Sequence, residues 1–358
     1  MRKLATIQVI KDIQPIDGAD AIEVATVNGW KAVIQKGIYS VGQKIVYLEI
    51  DSWVPHSIAP FLSKGKEPRV YQGVAGERLQ TISLRKQISQ GLICPLSSIP
   101  TYYQDGSDEY YTDLQDGIRE VLINDDCIGK DVTWDLGVLK WEREIPAQLA
   151  GQARGDFPGF LIKTDEERVQ NLSQYFPAMY NTLFVLNEKL NGSSATFYRQ
   201  DGYFGVCSRN LDLKETEGNA FWEIARRYDL PNKLEEGVCI QGELIGPGIQ
   251  KNMYDLTQTE LYVFNVYHIK SGRYLDNNTA KGYVENLGLK WVPWVTWGKI
   301  NSSTTVDEIL KMAEGKSILN PKVEREGLVW RPEREEVLNG RRMSFKAISN
   351  KFLINTGE

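Results

Sequence analysis

Turn signals cut the first hundred residues into short β-branched runs at nearly regular spacing, a pattern that leaves little room for helices. Ile7-Gln-Val-Ile10, Ile22-Glu-Val-Ala-Thr-Val27, Lys31-Ala-Val-Ile34 and Lys44-Ile-Val-Tyr-Leu-Glu-Ile50 are the runs, separated by Asp17-Gly18, Asn28-Gly29, Gly37 and Gly42. β-Branched side chains suit the pleated strand, and glycine and Asp-Gly suit tight turns. Strands this short and this regularly punctuated predict a small barrel or sandwich.

The pattern changes along the chain. Residues 98–130 read as an acidic insertion or long loop, with Tyr102, Tyr103, Tyr110 and Tyr111 among acids. Residues 145–159 have linker composition, and the domain boundary is placed there. Beyond it the runs are mixed. Asp201-Gly202 sits between Ser194-Ala-Thr-Phe-Tyr198 and Tyr203-Phe-Gly-Val-Cys207, a two-residue hairpin signal. Ala220, Phe221, Ile224, Ala225 and Tyr228 keep helical spacing, and Thr305-Val-Asp-Glu308 is a capping box opening a helix through Met312. Hairpin strands with interspersed helices predict an α+β domain after the all-β one. The division is 1–144, a linker over 145–159, and 160–358. A length of 358 residues also suits two domains.

Charge and cysteine usage exclude several classes. The net charge of −5 argues against a uniformly basic protein, yet residues 1–104 carry 12 Lys+Arg against 8 Asp+Glu. A local basic field can still attract a polyanion. Cys94, Cys127, Cys207 and Cys239 stand far apart with no C-x-x-C pair, so neither a zinc site nor a disulfide framework is expected. No apolar run approaches the roughly 20 residues of a membrane span, and the start lacks a leader's apolar core. The expected setting is the cytoplasm, inside a cell or, for a viral protein, inside its host.

Familiar catalytic patterns fail. His56 and His268 lie near no nucleophile elbow. Gly315-Lys316-Ser317 ends like a phosphate-binding loop, but Leu310 stands where the first glycine belongs. Gly246-Pro-Gly248 lacks the third glycine of a dinucleotide fingerprint. What remains is Glu188-Lys189-Leu-Asn-Gly192: Lys189 is the only lysine followed by glycine at the third position. A lysine after an apolar strand, with glycine three residues on, can be held at a pocket mouth while backbone approaches a phosphate. A surface lysine before a turn is the plainer reading of that motif alone.

Further pieces follow in order: Cys207-Ser-Arg209-Asn, Gln241-Gly-Glu243-Leu-Ile-Gly, Tyr262-Val-Phe264-Asn, Glu326-Gly-Leu-Val-Trp and Ser344-Phe-Lys346-Ala-Ile-Ser. Collinear and together, they resemble the covalent nucleotidyltransferase superfamily of ATP-dependent polynucleotide ligases and capping enzymes, over about residues 160–355. Lys163-Thr-Asp-Glu-Glu-Arg-Val-Gln-Asn171 and Ser344-Phe-Lys-Ala-Ile-Ser-Asn-Lys-Phe352 resemble RNA ligases in particular. The N-terminal runs, with Asp135-Leu-Gly-Val-Leu-Lys-Trp-Glu142, resemble RNA ligases that carry an OB domain ahead of the catalytic domain. The resemblance thus implies an OB-like barrel followed by an α+β nucleotidyltransferase domain with antiparallel sheets.

It also implies a chemistry: lysyl-AMP forms from ATP, AMP passes to a 5′-phosphate, and a 3′-OH displaces it, most naturally at nicks in duplexes. Lys189 would be the nucleophile and Lys346 a second catalytic cation contacting phosphate. Glu188 and Gly192 would flank the nucleotide, Arg209 would reach ribose or the 5′-phosphate, and Phe264 would stack on adenine. Glu243 would contact ribose or a metal-bound water, Glu326 would hold the hydration shell of Mg²⁺ or Mn²⁺, and Lys351 would share the phosphate contacts. ATP, a divalent metal and RNA or an RNA-containing duplex are the implied cofactors and partner, and the protein is expected to be a monomer. Two departures stand out: Asn191 replaces an Asp common in relatives, and Ile348 replaces a second lysine found in some. Two other classes stay open, an RNA-end-binding protein with a degenerate transferase domain, and a DNA ligase or capping guanylyltransferase.

Overall fold

A computed structural model describes residues 3–99, 111–115, 118–122, 127–142 and 147–357. The chain divides into two compact units, Met1–Arg143 with Leu353–Glu358, and Glu144–Phe352. The last six residues therefore group with the first unit, although the sequence pattern runs the second domain to 358.

The first unit is built on five antiparallel strands in the order Leu92–Cys94, Lys44–Leu48, Ala5–Pro15, Ile22–Val27, Trp30–Gln35. The long Ala5–Pro15 strand pairs with Lys44–Leu48 through its first half and with Ile22–Val27 through its second, with a register shift between Ile10 and Asp12. A bulge of this kind bends a strand and lets a sheet curl. The curl brings the two edges together: Gln90 N donates to Lys31 O at 2.7 Å, and Val33 N donates to Ser89 Oγ at 2.9 Å. The result is the near-barrel of an OB fold, filled by Ile10, Val27, Trp30, Ile45 and Tyr47. Within 98–130, Tyr111–Gln115 and Ile118–Leu122 form an antiparallel hairpin. Tyr102, Tyr103 and Tyr110 lie outside the described residues.

The second unit holds two large antiparallel-dominated sheets and a small hairpin of Val337–Leu338 with Arg341–Arg342. The larger runs Ala153–Asp156, Leu211–Leu213, Tyr203–Cys207, Ser193–Gln200, Val238–Ile245, Glu260–His268, Arg273–Tyr274, with Lys290–Trp291 joined parallel to Glu260–His268. The helices Ala220–Arg227 and Asn277–Asn286 contribute Phe221, Ile224, Ala280 and Val284 to a core shared with Phe197, Ile240 and Val263. The hairpin turn at Asp201 and Gly202 takes φ of 53° and 75°, as Asp-Gly predicts. The smaller sheet runs Glu167–Arg168, Phe345–Ile348, Gly327–Pro332, Phe184–Lys189, Trp294–Gly298. One face packs Phe184, Leu186, Trp330 and Phe345 against the Val306–Ala313 helix, which begins with the predicted capping box.

One stretch departs from its composition. Residues 147–156 lie in the expected linker, yet Ala147–Gly151 is helical and Ala153–Asp156 is a strand paired with Leu211–Leu213. The reason is tertiary. Arg154 Nε donates to Asp212 Oδ2 at 3.0 Å, and its guanidinium lies 4.2 Å from the Tyr203 ring centre.

Candidate active site

The Phe184–Lys189 strand belongs to the smaller sheet and Ser193–Gln200 to the larger, so residues 190–192 carry the chain from one sheet to the other. The crossing is tight. A Cβ on Gly192 would lie 2.3 Å from Leu244 O and 2.6 Å from Ile245 Cγ2, so only glycine fits. Asn191 N donates to Tyr254 Oη at 2.7 Å, and Gln250 Nε2 donates to Gly192 O at 3.2 Å. The Lys-x-x-Gly spacing is thus the length of the bridge between the sheets.

Strand alternation decides what Lys189 faces. Phe184 and Leu186 point to the helix-side core, so Val185, Asn187 and Lys189 point the other way. Lys189 pairs with Gly327, and Asn187 with Val329; Val329 pairs with Lys346, which pairs with Arg168. This face looks toward the larger sheet: the Arg331 guanidinium stands 5.3 Å from the Phe264 ring centre, and Arg342 Nη1 donates to Asn265 Oδ1 at 2.7 Å.

Charges converge at the crossing. Lys189 Nζ lies 2.6 Å from Glu326 Oε1. Glu243, opposite Ser194 and Tyr262 in the larger sheet, is half-buried. Burial pushes its carboxyl up to about 7; Lys189 pulls it down, Glu326 pushes it further up, and the Gly192 amide and Arg209 pull down. Arg209 itself pairs with Asp165 at 3.0 Å. Phe264 packs in the apolar cluster of Leu190, Tyr254 and Val292, with Arg331 over one ring face.

Two expected residues stand elsewhere. Glu188 alternates to the face opposite Lys189, is buried, and accepts from Ile318 N at 2.7 Å. Burial raises its pKa against the lowering effects of Ser317, Ile318 N and Arg325. Lys351 pairs with Glu314 at 2.9 Å on an exposed surface. Ile348 is buried opposite Gly327, and a Cβ on Gly327 would lie 2.2 Å from Ala347 O, so no long side chain is missed by the packing there.

Residues 163–168 tie the site together in a way no single motif announces. Lys163 Nζ donates to Asn210 Oδ1 at 3.0 Å, Thr164 bonds Ser194 at 3.0 Å, and Asp165 holds Arg209, all on the larger sheet. Glu166 then meets Arg331 at 3.2 Å and accepts from the Ser344 hydroxyl on the smaller one. Burial would raise the Glu166 pKa, but Arg331, Arg342, Ser344 and Lys346 together hold it below the usual carboxylate value. The segment laces the two sheets and places Arg168 beside Lys346. Three consecutive acids, Asp165, Glu166 and Glu167, between Lys163 and Arg168 were the visible signal.

The donor set suits a hard cation. Glu243 and Glu326 bring two carboxylates into mutual repulsion, which a bound cation relieves. Among the described residues no group of three or more His, Cys, Asp or Glu is placed to hold a metal. A cation here would keep mostly water and phosphate oxygens, the habit of Mg²⁺.

Comparison with known proteins bears directly on this geometry. A family model described as RNA ligase matches residues 182–348, and an OB-fold domain model matches residues 4–96. An apo variant of Naegleria gruberi RNA ligase is 39% identical, with a TM-score of 0.84 over 99% of this chain and 98% of that one. This chain belongs to the RNA ligase family. A second variant of the Naegleria gruberi enzyme, solved with ATP and Mn, matches with a TM-score of 0.83 at 39% identity over 98% of both chains. A third, with AMP and Mn, gives 0.82 at the same identity and coverage. No curated protein sequence matches the chain. Within the RNA ligase match lie Lys189, Arg209, Glu243, Phe264, Glu326 and Lys346, while Lys351 falls just beyond it.

Proposed function

We propose that this RNA ligase is ATP-dependent, carries AMP covalently on Lys189, and joins a 3′-OH to a 5′-phosphate at nicks in RNA-containing duplexes. The observation that carries the reading is the position of Lys189: at the end of a strand, 2.6 Å from Glu326, on a bridge that admits only glycine at position 192. The ATP-bound and AMP-bound relatives support the choice of nucleotide.

The chain's own groups divide the work as follows. Glu326 holds the Lys189 amine in place while it is charged. A lysine with a pKa of about 10.4 must lose its proton before it can attack. The free amine then forms an N–P bond at the α-phosphorus as the bond to pyrophosphate breaks. An oxygen of the RNA 5′-phosphate takes the adenylyl group, the N–P bond breaks, and Lys189 is regenerated. Finally the 3′-OH attacks the 5′-phosphorus, its proton is lost, and AMP departs. Lys346, on the same face as Lys189, offsets charge on the phosphates. Arg209 faces the 5′-phosphate or ribose, and the half-buried Phe264 stacks on adenine. Glu243 and Glu326 would hold a divalent cation, which when bound would supply further neutralisation of phosphate charge.

No helix among the described residues is long and apolar enough to cross a membrane. Cys94, Cys207 and Cys239 are buried thiols outside any disulfide, which supports a reducing, cytoplasmic setting. Incubation with α-labelled ATP or GTP, followed by a nicked RNA duplex, tests the reading. Label from ATP with sealing is expected. Label from GTP would indicate capping chemistry, and no label an RNA-end-binding protein.

A further inference from the structure

The edge strand Trp294–Gly298 presents two exposed tryptophans beside the nucleophile. Trp294 is 53% exposed and Trp297 42%, with ring centres 6.5 Å apart in an edge-to-face arrangement. Residues three apart on a regular strand point to opposite faces. Here a register shift intervenes: Trp297 pairs with Val185 and Trp294 with Asn187, so Val295 is an extra residue in the strand. Cross-strand partners share a face, and Val185, Asn187 and Lys189 alternate onto one side. Both indoles therefore stand on the side of the sheet that carries Lys189. Val295 packs against the helix-side core instead.

The placement continues the active site. Lys346, Val329, Asn187 and Trp294 form one cross-strand row. Lys189 lies two residues beyond Asn187, about 7 Å along the strand. That is about two nucleotide steps at roughly 3.4 Å each. The position is fixed by backbone, since Glu188 N donates to the carbonyl of Pro293 at 2.9 Å, directly before Trp294. Lys299 follows the strand and is exposed. A large apolar ring left in water on the catalytic face, with cations on either side, suits a nucleobase attached to phosphate better than an apolar peptide.

We propose that Trp294 and Trp297 form a stacking platform for bases of the RNA strand whose end is joined at Lys189. The proposal rests on the ligase reading above and names where its substrate lies. Stacking uses the π-face common to all bases, so the platform grips RNA without reading its sequence. The platform acts after adenylation, which needs only ATP.

The test uses the full chain, its W294A/W297A and W294F/W297F variants, and a fluorescently labelled oligoribonucleotide as probe. The alanine pair should form the Lys189 adduct with ATP at the parent rate. It should bind the probe about 10- to 100-fold more weakly, lose RNA-induced quenching of tryptophan emission, and raise the KM for nicked RNA. The phenylalanine pair should stay within about threefold of the parent in affinity, because a ring remains. Unchanged affinity and KM in the alanine pair would overturn the platform and leave the exposed edge to a protein partner. Equal losses in adduct formation and RNA binding would also overturn it, as signs of a disturbed fold. Absence of any adduct in the parent chain would instead overturn the ligase reading, while the RNA-binding comparison would still decide the platform.

Discussion

Glu166 shows how much of this site is held by charge. Its carboxylate meets the buried Arg331 at 3.2 Å, and the guanidinium, pushed down to about 10 by burial, depends on that partner to stay charged without penalty. A carboxyl whose folded pKa lies below its unfolded value stabilises the fold above the unfolded pKa, and that stability is lost as pH falls through the folded pKa. Glu166→Gln should therefore cost about 3–5 kcal/mol at pH 7, the scale of breaking a buried pair. The difference should shrink from about pH 5 downward as the parent carboxylate protonates. Urea midpoints of both proteins across that range check this, and a constant difference would contradict a charged Glu166. Glu326 makes a sharper catalytic prediction. Glu326→Ala should seal RNA at least 100-fold more slowly, about the loss seen when one transition-state electrostatic contact is removed. Asn191→Asp should seal normally and lower the Mg²⁺ concentration needed, because it adds an anionic oxygen. Near-normal sealing by the Glu326 variant would leave that residue as a solvated strand-start carboxylate.

At the scale of elements, the bridge at residues 190–192 is the most constrained piece. Gly192→Ala must push Leu244 O or Ile245 aside, and overpacking of that kind costs about 1–3 kcal/mol. Adduct formation should fall with it, since Lys189 sits three residues away; a variant with parental Tm and adenylation rate would show that the bridge yields freely. The Asp201-Gly202 hairpin and the Thr305 capping box were legible in the sequence because each is written in consecutive residues, whereas the Lys189–Gly192 spacing did not reveal that it spans two sheets. Other features depend on pairing between distant strands. The register shift opposite Asn187, which brings Trp294 and Trp297 to one face, has no local signature. Nor does the side that Glu188 takes: alternation separates it from Lys189, but which side is the core follows only from where the Val306–Ala313 helix packs. The Ala153–Asp156 strand was hidden for the same reason, because its small and polar residues read as linker until Asp212 is in place.

For the whole molecule, the sequence pattern located an all-β part followed by an α+β part, because strand-length runs give way to hairpins interspersed with helical spacing, and the OB-fold and RNA ligase matches follow in that order. In the mechanism proposed above, adenylation uses only residues of the second unit, whereas sealing also needs two RNA ends held in line, and positioning of that kind contributes several kcal/mol. A chain beginning at Glu144 should therefore form the Lys189 adduct yet seal nicked RNA poorly. Its RNA affinity should depend less steeply on salt, because residues 1–104 and their 12 basic side chains no longer release counterions. Sealing at the full-length rate with the same salt slope would remove the OB domain from the mechanism.

The central claim is that Lys189 carries the nucleotide. Intact-mass measurement after incubation with ATP and Mg²⁺, followed by peptide mapping, tests it most directly. A mass increase of one AMP is expected on the full-length chain, localised to Lys189 and absent from Lys189→Ala, with that variant still joining a pre-adenylated 5′ end. An AMP adduct on the alanine variant, or one mapped to another lysine, would contradict it.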